Sequence, residues 1–239
     1  MATMKNKILT VNKLLIEKYG VPPRLVTPPD PVDLLIATIL SQNTNDKNSY
    51  KAFQNLRKHY ADWRPVAGLS AAAIEKLIKA AGLGRQKSKA IKLFLSRLIK
   101  KQNNISLDHL KDLTNDDVLV ELTSNQGIGI KTASCVLLFS MRRNVCPVDT
   151  HVHRTTNRIG IVKASTPDKT FKILNAALPD NTAHSFHTNL IRLGREICKP
   201  AKPLCGICPL LKVCGYEKKN LEINSAYKEI SFMLLDSIE

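Results

Sequence analysis

The chain has 239 residues, enough for one large domain or two small domains with their own apolar cores. Lysine and arginine number 36 against 20 aspartate and glutamate residues, which gives a formal net charge of +16. This excess favours a polyanionic partner, either nucleic acid or an anionic membrane, over a merely basic globular protein.

No apolar segment of the chain resembles a membrane span or a secretory leader. There is no run of about eighteen apolar residues, and the first seven residues lack an apolar leader core. We therefore expect an intracellular protein of the cytoplasm or nucleoid, with no membrane partner. There the six cysteines are not expected to form disulfides, so a metal site or core packing must explain them.

The N-terminal part predicts two helices joined by a stiff linker. Apolar residues recur at helical spacing between Ile8 and Tyr19. Prolines crowd residues 22–31, a stretch too poor in N–H donors for a helix or a central strand. Asp30 as N-cap and Pro31 as first helical residue then begin a helix with an apolar stripe.

Short polar side chains follow this second helix. Gln42 and Asn43 are uncharged and combine hydrogen-bond donors with acceptors, which suits contact with base edges or with the space left by a displaced base. The alternative is a helix end that faces solvent.

Helical periodicity continues through the rest of the chain. Ser70 is expected to cap a helix that Gly82 closes. Further helices are predicted to begin at Thr166 and to run from Asn181 to Cys198. No alternating strand pattern occurs, so the sequence predicts an all-α fold.

A turn built on two glycines separates two of these helical segments. Gly127, Ile128 and Gly129 precede a helix expected to start near Lys131, which is a helix-hairpin-helix pattern. Free N–H groups and the positive dipole end at a helix N-terminus favour an anion, and glycines let a nucleic-acid phosphate approach the backbone. A turn that only joins two helices is the alternative.

Lys131 and Asp149 are the strongest candidates for chemistry. A lysine at a helix N-terminus has its ammonium form disfavoured, which makes the nucleophilic amine more available, and a nearby carboxylate can move protons or stabilise a cation. Such a pair could form and hydrolyse a Schiff base. Alternatively, Lys131 contacts a phosphate and Asp149 caps a helix that starts at Thr150.

Four cysteines lie close together near the C-terminus. They are Cys198, Cys205, Cys208 and Cys214. Clustered thiolates of this kind are typical of a zinc site or an iron–sulfur cluster, and four of them leave no open position for a substrate. We expect such a site to brace the loop and to present Lys199 and Lys202 to phosphates, unless these lysines are only solvated. Cys135 and Cys146 are predicted to be core residues instead.

The motifs together resemble one protein family. Gly-Ile-Gly-Ile-Lys-Thr-Ala at 127–133 and Val-Asp-Thr-His-Val-His-Arg at 148–154 are similar to the hairpin and aspartate motifs of the endonuclease III group of DNA base-excision glycosylases. The resemblance extends over roughly residues 5 to 216. The cysteine spacing resembles the 4Fe-4S loop of this group, which favours that cluster over zinc at the four cysteines.

The resemblance implies a fold of two helical lobes. Residues 25–141 would form a six-helix lobe that ends in the hairpin, and residues 1–24 with 142–217 would form the cluster lobe. Residues 218–239 lie outside the resemblance, and their apolar residues predict an added C-terminal helix. The polar turn would probe the strand opposite the lesion. Asn43 stands where the group has glutamine, with Gln42 beside it. His151 is expected to hydrogen-bond at the helix start, and His153 to be exposed.

The resemblance also implies a reaction. Monofunctional adenine glycosylases carry a glutamate on the helix that ends near Ser41, and mismatch thymine glycosylases place a tyrosine where Lys131 stands. The sequence therefore favours a monomeric bifunctional glycosylase and abasic-site lyase that removes oxidised pyrimidines from double-stranded DNA. Two alternatives are a DNA-binding, redox-sensing module that cuts no bond, and a zinc-bound interaction protein.

Two positions depart from the pattern of the group. Asn125-Gln126 replaces the Leu-Pro that normally precedes the first glycine, and Thr123 replaces an acidic residue. Neither change touches the lysine chemistry, but both bear on lesion preference.

Overall fold

The computed structural model describes residues 3–222 of the chain. Every regular element in this range is a helix, so the prediction of an all-α fold is confirmed. Across the same residues, no helix is both long and apolar enough to cross a membrane. Most of the C-terminal extension 218–239, including the helix expected there, lies outside the described residues.

Eleven α-helices occur in the described range. They are α1 (Met4–Tyr19), α2 (Pro31–Ser41), α3 (Asp46–His59), α4 (Trp63–Gly68), α5 (Ala71–Leu77), α6 (Gly84–Gln102), α7 (Asn115–Thr123), α8 (Ile130–Cys135), α9 (Thr150–Ile159), α10 (Pro167–Ala176) and α11 (Ala183–Glu196). Short 3-10 helices cover Lys79–Ala81, Asp108–Asp112 and Cys205–Ile207.

The chain forms two compact units. Leu25–Arg142 is one unit and contains α2 to α8. The described residues before Leu25 and after Arg142 form the other unit, which contains α1 and α9 to α11.

Several helix ends match the predicted capping residues. The Asp30 carboxylate accepts the Val32 and Asp33 N–H groups at 2.8 and 3.1 Å, and Pro31 is the first residue of α2. Ser70 and Thr166 cap α5 and α10 in the same way. These side chains satisfy N–H groups that the helix itself leaves without partners.

Helix α2 is the centre of the first unit. Its residues from Leu34 to Leu40 are all buried, and it packs against α3, α6 and α8. A single buried stripe was predicted, but both faces are covered because neighbours lie on several sides of this apolar helix.

The hairpin joins α7 to α8. Ile128 is buried in the turn while Gly127 and Gly129 are exposed, and α8 continues into a π-helical segment at Val136–Ser140. Gly127 has φ +87°, and a Cβ added to it would lie 2.6 Å from the Cβ of Ala90 on α6. The turn therefore rests directly on α6, which only a glycine allows.

In the second unit the N-terminal helix packs on the C-terminal half of the chain. α1 contacts α11, and α11 contacts α9. The Ser185 hydroxyl donates to Asn12 Oδ1 at 3.1 Å, and the Lys7 ammonium donates to the Gly160 carbonyl at 3.0 Å. These bonds link segments that are far apart in sequence.

Some predicted bounds were wrong by a few residues. The first helix begins at Met4 rather than Ile8, and the long helix predicted for Asn181–Cys198 covers Ala183–Glu196. Helices α3 and α4 were not predicted, because α3 is strongly polar and α4 is only six residues long.

The two hairpin glycines should respond differently to alanine. Gly127→Ala introduces both an unfavourable φ and a contact with Ala90, so we expect the free energy of unfolding to fall by about 2–4 kcal/mol. Gly129 has φ −95° and open space around a Cβ, so Gly129→Ala should cost less than about 1 kcal/mol. Denaturant unfolding of both variants measures the difference, and equal losses would contradict the packing described.

Candidate functional site

Lys131 lies in the first turn of α8, directly after the hairpin. Lys131 is half-buried, and the next two residues, Thr132 and Ala133, are buried. Gly129 is the N-cap and has no side chain to accept a hydrogen bond, so the first N–H groups of α8 lack an intramolecular acceptor there. The start of α8 thus combines free amide donors with a primary amine.

The hairpin is held in place from α6 and α7. Arg97 donates to the Ser124 carbonyl at 3.2 Å and to Asn125 Oδ1 at 3.3 Å. The Asn125 amide in turn donates to the Glu121 and Leu122 carbonyls at the end of α7. Asn125, which departs from the expected Leu-Pro, therefore holds the turn by hydrogen bonds.

The polar turn after α2 lies against this hairpin. Gln42 Nε2 donates to the Gly127 carbonyl at 3.2 Å and to Thr132 Oγ1 at 3.3 Å. Asn43 is exposed and has φ +50°, a left-handed backbone conformation. The structure therefore brings Gln42 together with the hairpin and leaves the Asn43 side chain projecting from the turn.

Asp149 is the N-cap of α9. Its Oδ1 accepts the Val152 N–H at 2.8 Å, and the residue is half-buried. The described hydrogen bonds engage only this one carboxylate oxygen. Asp149 belongs to the second unit and Lys131 to the first, so the pairing of the two side chains stays a prediction.

His151 and Arg154 lie side by side on α9. Arg154 Nη2 donates to His151 Nδ1 at 3.2 Å and to the Gly194 carbonyl at 2.9 Å. Because an arginine can only donate, this contact favours a neutral imidazole whose Nδ1 carries no proton. Burial lowers the pKa of His151, although the Asp149 carboxylate opposes this effect. The expectation for His153 was wrong, since it is half-buried and bonds Thr170 Oγ1 at 2.7 Å.

The four clustered cysteines lie in the second unit and form no disulfide. Burial raises the pKa of the Cys208 thiol to about 12, and the other three cysteines add electrostatic repulsion to its thiolate. Burial likewise raises the pKa of Cys198, although an Arg158 N–H donates to its Sγ at 3.6 Å. The four sulfur atoms therefore share one partly buried region.

No set of three or more metal-ligating side chains in residues 3–222 converges on a single ion. A four-iron cluster has a different requirement, because each thiolate binds a separate iron and the four sulfurs stay further apart than around one zinc. Neutral buried thiols also need a cationic group before they become thiolates. Four partly buried thiols in one region are a donor set that fits a 4Fe-4S cluster.

Two arginines of α9 hold the cysteine loop, and the sequence analysis missed this role. Arg158 donates to the Lys199 and Pro200 carbonyls at 2.7 Å each, and its guanidinium lies 4.5 Å from the Tyr216 ring centroid. Arg154 Nε donates to the Cys198 carbonyl at 3.0 Å. Their spacing of one helical turn is the signal that could have suggested a shared target.

The two loop lysines differ in their surroundings. Lys199 is half-buried and its carbonyl is bound by Arg158, whereas Lys202 is exposed. Cys135 and Cys146 are fully buried, as predicted for core residues.

Comparison with known proteins identifies relatives that match most of the chain. Residues 36–180 match the model of the HhH-GPD superfamily base excision DNA repair protein. The chain is 35% identical over 190 residues to endonuclease III of Thermotoga maritima, covering 80% of this chain and 85% of that protein. It is 32% identical over 193 residues to endonuclease III of Sulfolobus acidocaldarius, covering 79% and 83%.

Solved structures give the same result. The structure of a trapped endonuclease III–DNA covalent intermediate, an estranged-adenine complex, superposes with a TM-score of 0.75 at 28% identity, covering 90% of this chain and 97% of that one. The helical order, the hairpin and these relatives agree. The chain belongs to the endonuclease III group of the HhH-GPD superfamily and is a DNA glycosylase of base excision repair.

Proposed function

We propose that this glycosylase is bifunctional and removes oxidised pyrimidines from double-stranded DNA, then cleaves the strand 3′ to the abasic site through a Schiff base on Lys131. The observation that carries the proposal is a half-buried lysine in the first turn of α8, beside the exposed hairpin glycines. A relative of known structure was captured as a covalent DNA intermediate, which supports a covalent route.

The Lys131 amine would attack the sugar C1′, and the base would leave with the electrons of its bond to C1′. Transfer of a proton from this nitrogen to the ring oxygen, with cleavage of the bond between that oxygen and C1′, would open the sugar ring and give a protonated imine. The imine acidifies the C2′ proton, whose removal expels the 3′ phosphate by β-elimination. Water would then hydrolyse the imine and free Lys131.

Asp149 would act on the same sugar. Its Oδ1 is occupied by the Val152 N–H, which fixes the carboxylate and leaves Oδ2 for the substrate. A fixed carboxylate can stabilise positive charge that develops on the sugar and can accept the proton that the amine loses. The capping role and the catalytic role are therefore compatible.

DNA binding would use the hairpin backbone and the polar turn. The N–H groups around Gly127, Ile128 and Gly129 would bind a phosphate, and Asn43 would enter the duplex opposite the lesion. In the other proposed lobe, the His151 Nε2–H, Lys199 and Lys202 would contact phosphates. We propose that the protein acts as a monomer, with lobes at 25–141 and at 1–24 plus 142–217.

We propose that Cys198, Cys205, Cys208 and Cys214 hold a 4Fe-4S cluster. When bound, such a cluster supplies a rigid cross-link and a redox-active centre rather than a substrate site. The residues of the chain do the positioning, because Arg154 and Arg158 hold the Cys198, Lys199 and Pro200 carbonyls. This arrangement supports a fixed orientation of the two loop lysines.

Borohydride trapping tests the nucleophile. The wild-type protein should form a covalent complex with abasic-site DNA, whereas Lys131→Gln should form none and should lower strand scission by at least about a thousandfold. Affinity for an uncleavable abasic analogue should stay within about threefold, since the change acts on the transition state. A trapped complex formed by Lys131→Gln would contradict the proposal. If the wild-type protein does not nick abasic DNA, a module that only binds DNA would be favoured.

Asp149→Asn separates capping from catalysis. Asparagine caps helices as well as aspartate, so the free energy of unfolding should change by less than about 0.5 kcal/mol. Base release should nevertheless fall by about a hundredfold or more, because the charge is lost. Unfolding curves and single-turnover assays of the same preparation measure both effects, and unchanged base release would remove Asp149 from the mechanism.

Metal analysis tests the cluster. The purified protein should contain about four irons and four acid-labile sulfides per chain. Cys208→Ser should lower both values, while Cys146→Ala, a change at a buried cysteine outside the loop, should leave them unchanged. Stoichiometric zinc without iron would contradict the assignment.

The neutral state of His151 predicts an acid-sensitive stability. Its folded pKa lies below the ordinary value of 6.5, so as pH falls through that value the unfolded chain takes up a proton that the folded chain does not. Unfolding free energies at about pH 7.5 and about pH 5.5 should therefore drop more for the wild type than for His151→Gln. An equal drop in both proteins would contradict a neutral, partly buried imidazole.

A further inference from the structure

Lys87 is a buried lysine that the proposed reaction does not use. Lys87 lies in the first turns of α6 and is only 2% exposed. Its ammonium donates to the Leu40 carbonyl and to the Ala81 carbonyl, both at 2.8 Å. Burial lowers its pKa to about 8, so keeping this amine inside the unit carries a desolvation cost that the two hydrogen bonds offset.

The two carbonyls lie at the ends of helical segments. Leu40 is the second-last residue of α2, where carbonyl groups have no partner within the helix. Ala81 is the last residue of a 3-10 helix, before the turn that leads into α6. One amine therefore fixes the end of α2 to the start of α6, immediately before the turn that carries Gln42 and Asn43.

Gln42 fixes the same turn from its other side. Its Nε2 donates to the Gly127 carbonyl and to Thr132 Oγ1, which belong to the hairpin and to α8. The neighbouring polar side chains are also used locally, since Ser41 donates to the Thr38 carbonyl and Asn45 caps α3. Among the described hydrogen bonds of this turn, none engages the Asn43 side chain.

A side chain that enters a base stack needs a stiff support. Unstacking a base step costs free energy, and a flexible turn would move before the bases unstack. Asn43 also has a left-handed backbone conformation, which asparagine adopts more readily than most non-glycine residues. Contacts that fix the turn before binding lower the entropy cost of insertion.

We propose that Lys87 and Gln42 are positioning residues that clamp the turn between α2 and the hairpin, so that Asn43 is presented rigidly to the strand opposite the lesion. This inference rests on the proposed function of Asn43 and deepens it. Gln42 acts within the protein as a brace, and Lys87 acts through the carbonyl of Leu40.

Matched control residues occur on the same helix. Lys92 of α6 donates to the Ala67 carbonyl, and Gln102 at the end of α6 donates to the Ser106 carbonyl at 2.6 Å. Both side chains bind backbone carbonyls away from the turn. Lys92→Met and Gln102→Ala therefore remove the same kinds of bond without loosening Asn43.

The test uses a duplex with an abasic analogue and 2-aminopurine as the opposite base, whose fluorescence rises when it is unstacked. At saturating protein, Gln42→Ala and Lys87→Met should reduce this rise by at least about half. On a second duplex that carries an oxidised pyrimidine, they should lower single-turnover base release by about tenfold. The two control variants should match the wild type. Borohydride trapping of Lys87→Met on single-stranded abasic DNA should stay at the wild-type level, because no opposite strand is present.

A double-mutant cycle distinguishes positioning from general weakening. If Gln42 acts through Asn43, adding Gln42→Ala to Asn43→Ala should cause no further loss of the fluorescence rise. A full additional loss would overturn the proposal. An unchanged fluorescence rise in the Gln42→Ala variant would also overturn it, and this variant should fold because Gln42 is only half-buried. Failure of the proposed function would be distinct, because the wild type itself would then trap no DNA.

Discussion

The structure depends on the close packing of the hairpin turn against α6. Gly127 lies where any side chain would meet the Cβ of Ala90, and Ile128 is buried beside it. The burial of Ile128 and the close contact of Gly127 with α6 thus fix the turn. The hydrogen bonds of Arg97 and Asn125 hold it further. As a result the N–H groups of the turn and the backbone of Lys131 occupy defined positions at the start of α8.

The second unit uses backbone carbonyls as its main attachment points. Arg154 and Arg158 project from α9, one turn apart, and bind carbonyls along the loop that contains Cys198. The helix that supplies these arginines begins with Asp149 as its N-cap. A single ten-residue helix therefore sets the position of a proposed catalytic carboxylate at its first turn and of the cysteine loop at its last turns.

Much of this could be read from the sequence, because local rules decide it. Asp30, Ser70 and Thr166 cap helices where their side chains are followed by helical periodicity, and the hairpin follows from two glycines between helical segments. The individual contacts could not be read in this way. In the sequence Lys87 looks like a solvated lysine of a basic segment. In the structure it is buried, and its ammonium donates to carbonyls that are 47 and 6 residues away along the chain.

The same limit applies to Gln42 and to the arginines of α9. Gln42 is polar and lies at a helix end, so its sequence context suggests an exposed side chain, yet its amide binds residues 85 and 90 positions further along. Arg158 lies 41 residues from the carbonyl of Lys199. Periodicity reports which face of a helix is buried, but it does not report which distant backbone group a polar side chain finds.

We propose above all that the amine of Lys131 becomes bonded to the C1′ of the damaged nucleotide. The most direct measurement is tandem mass spectrometry of the borohydride-reduced complex after digestion of the protein and DNA. We expect the reduced sugar to be attached to the Lys131 side chain in the peptide that contains the hairpin. An adduct on any other residue, such as Lys87 or the N-terminal amine, would contradict it.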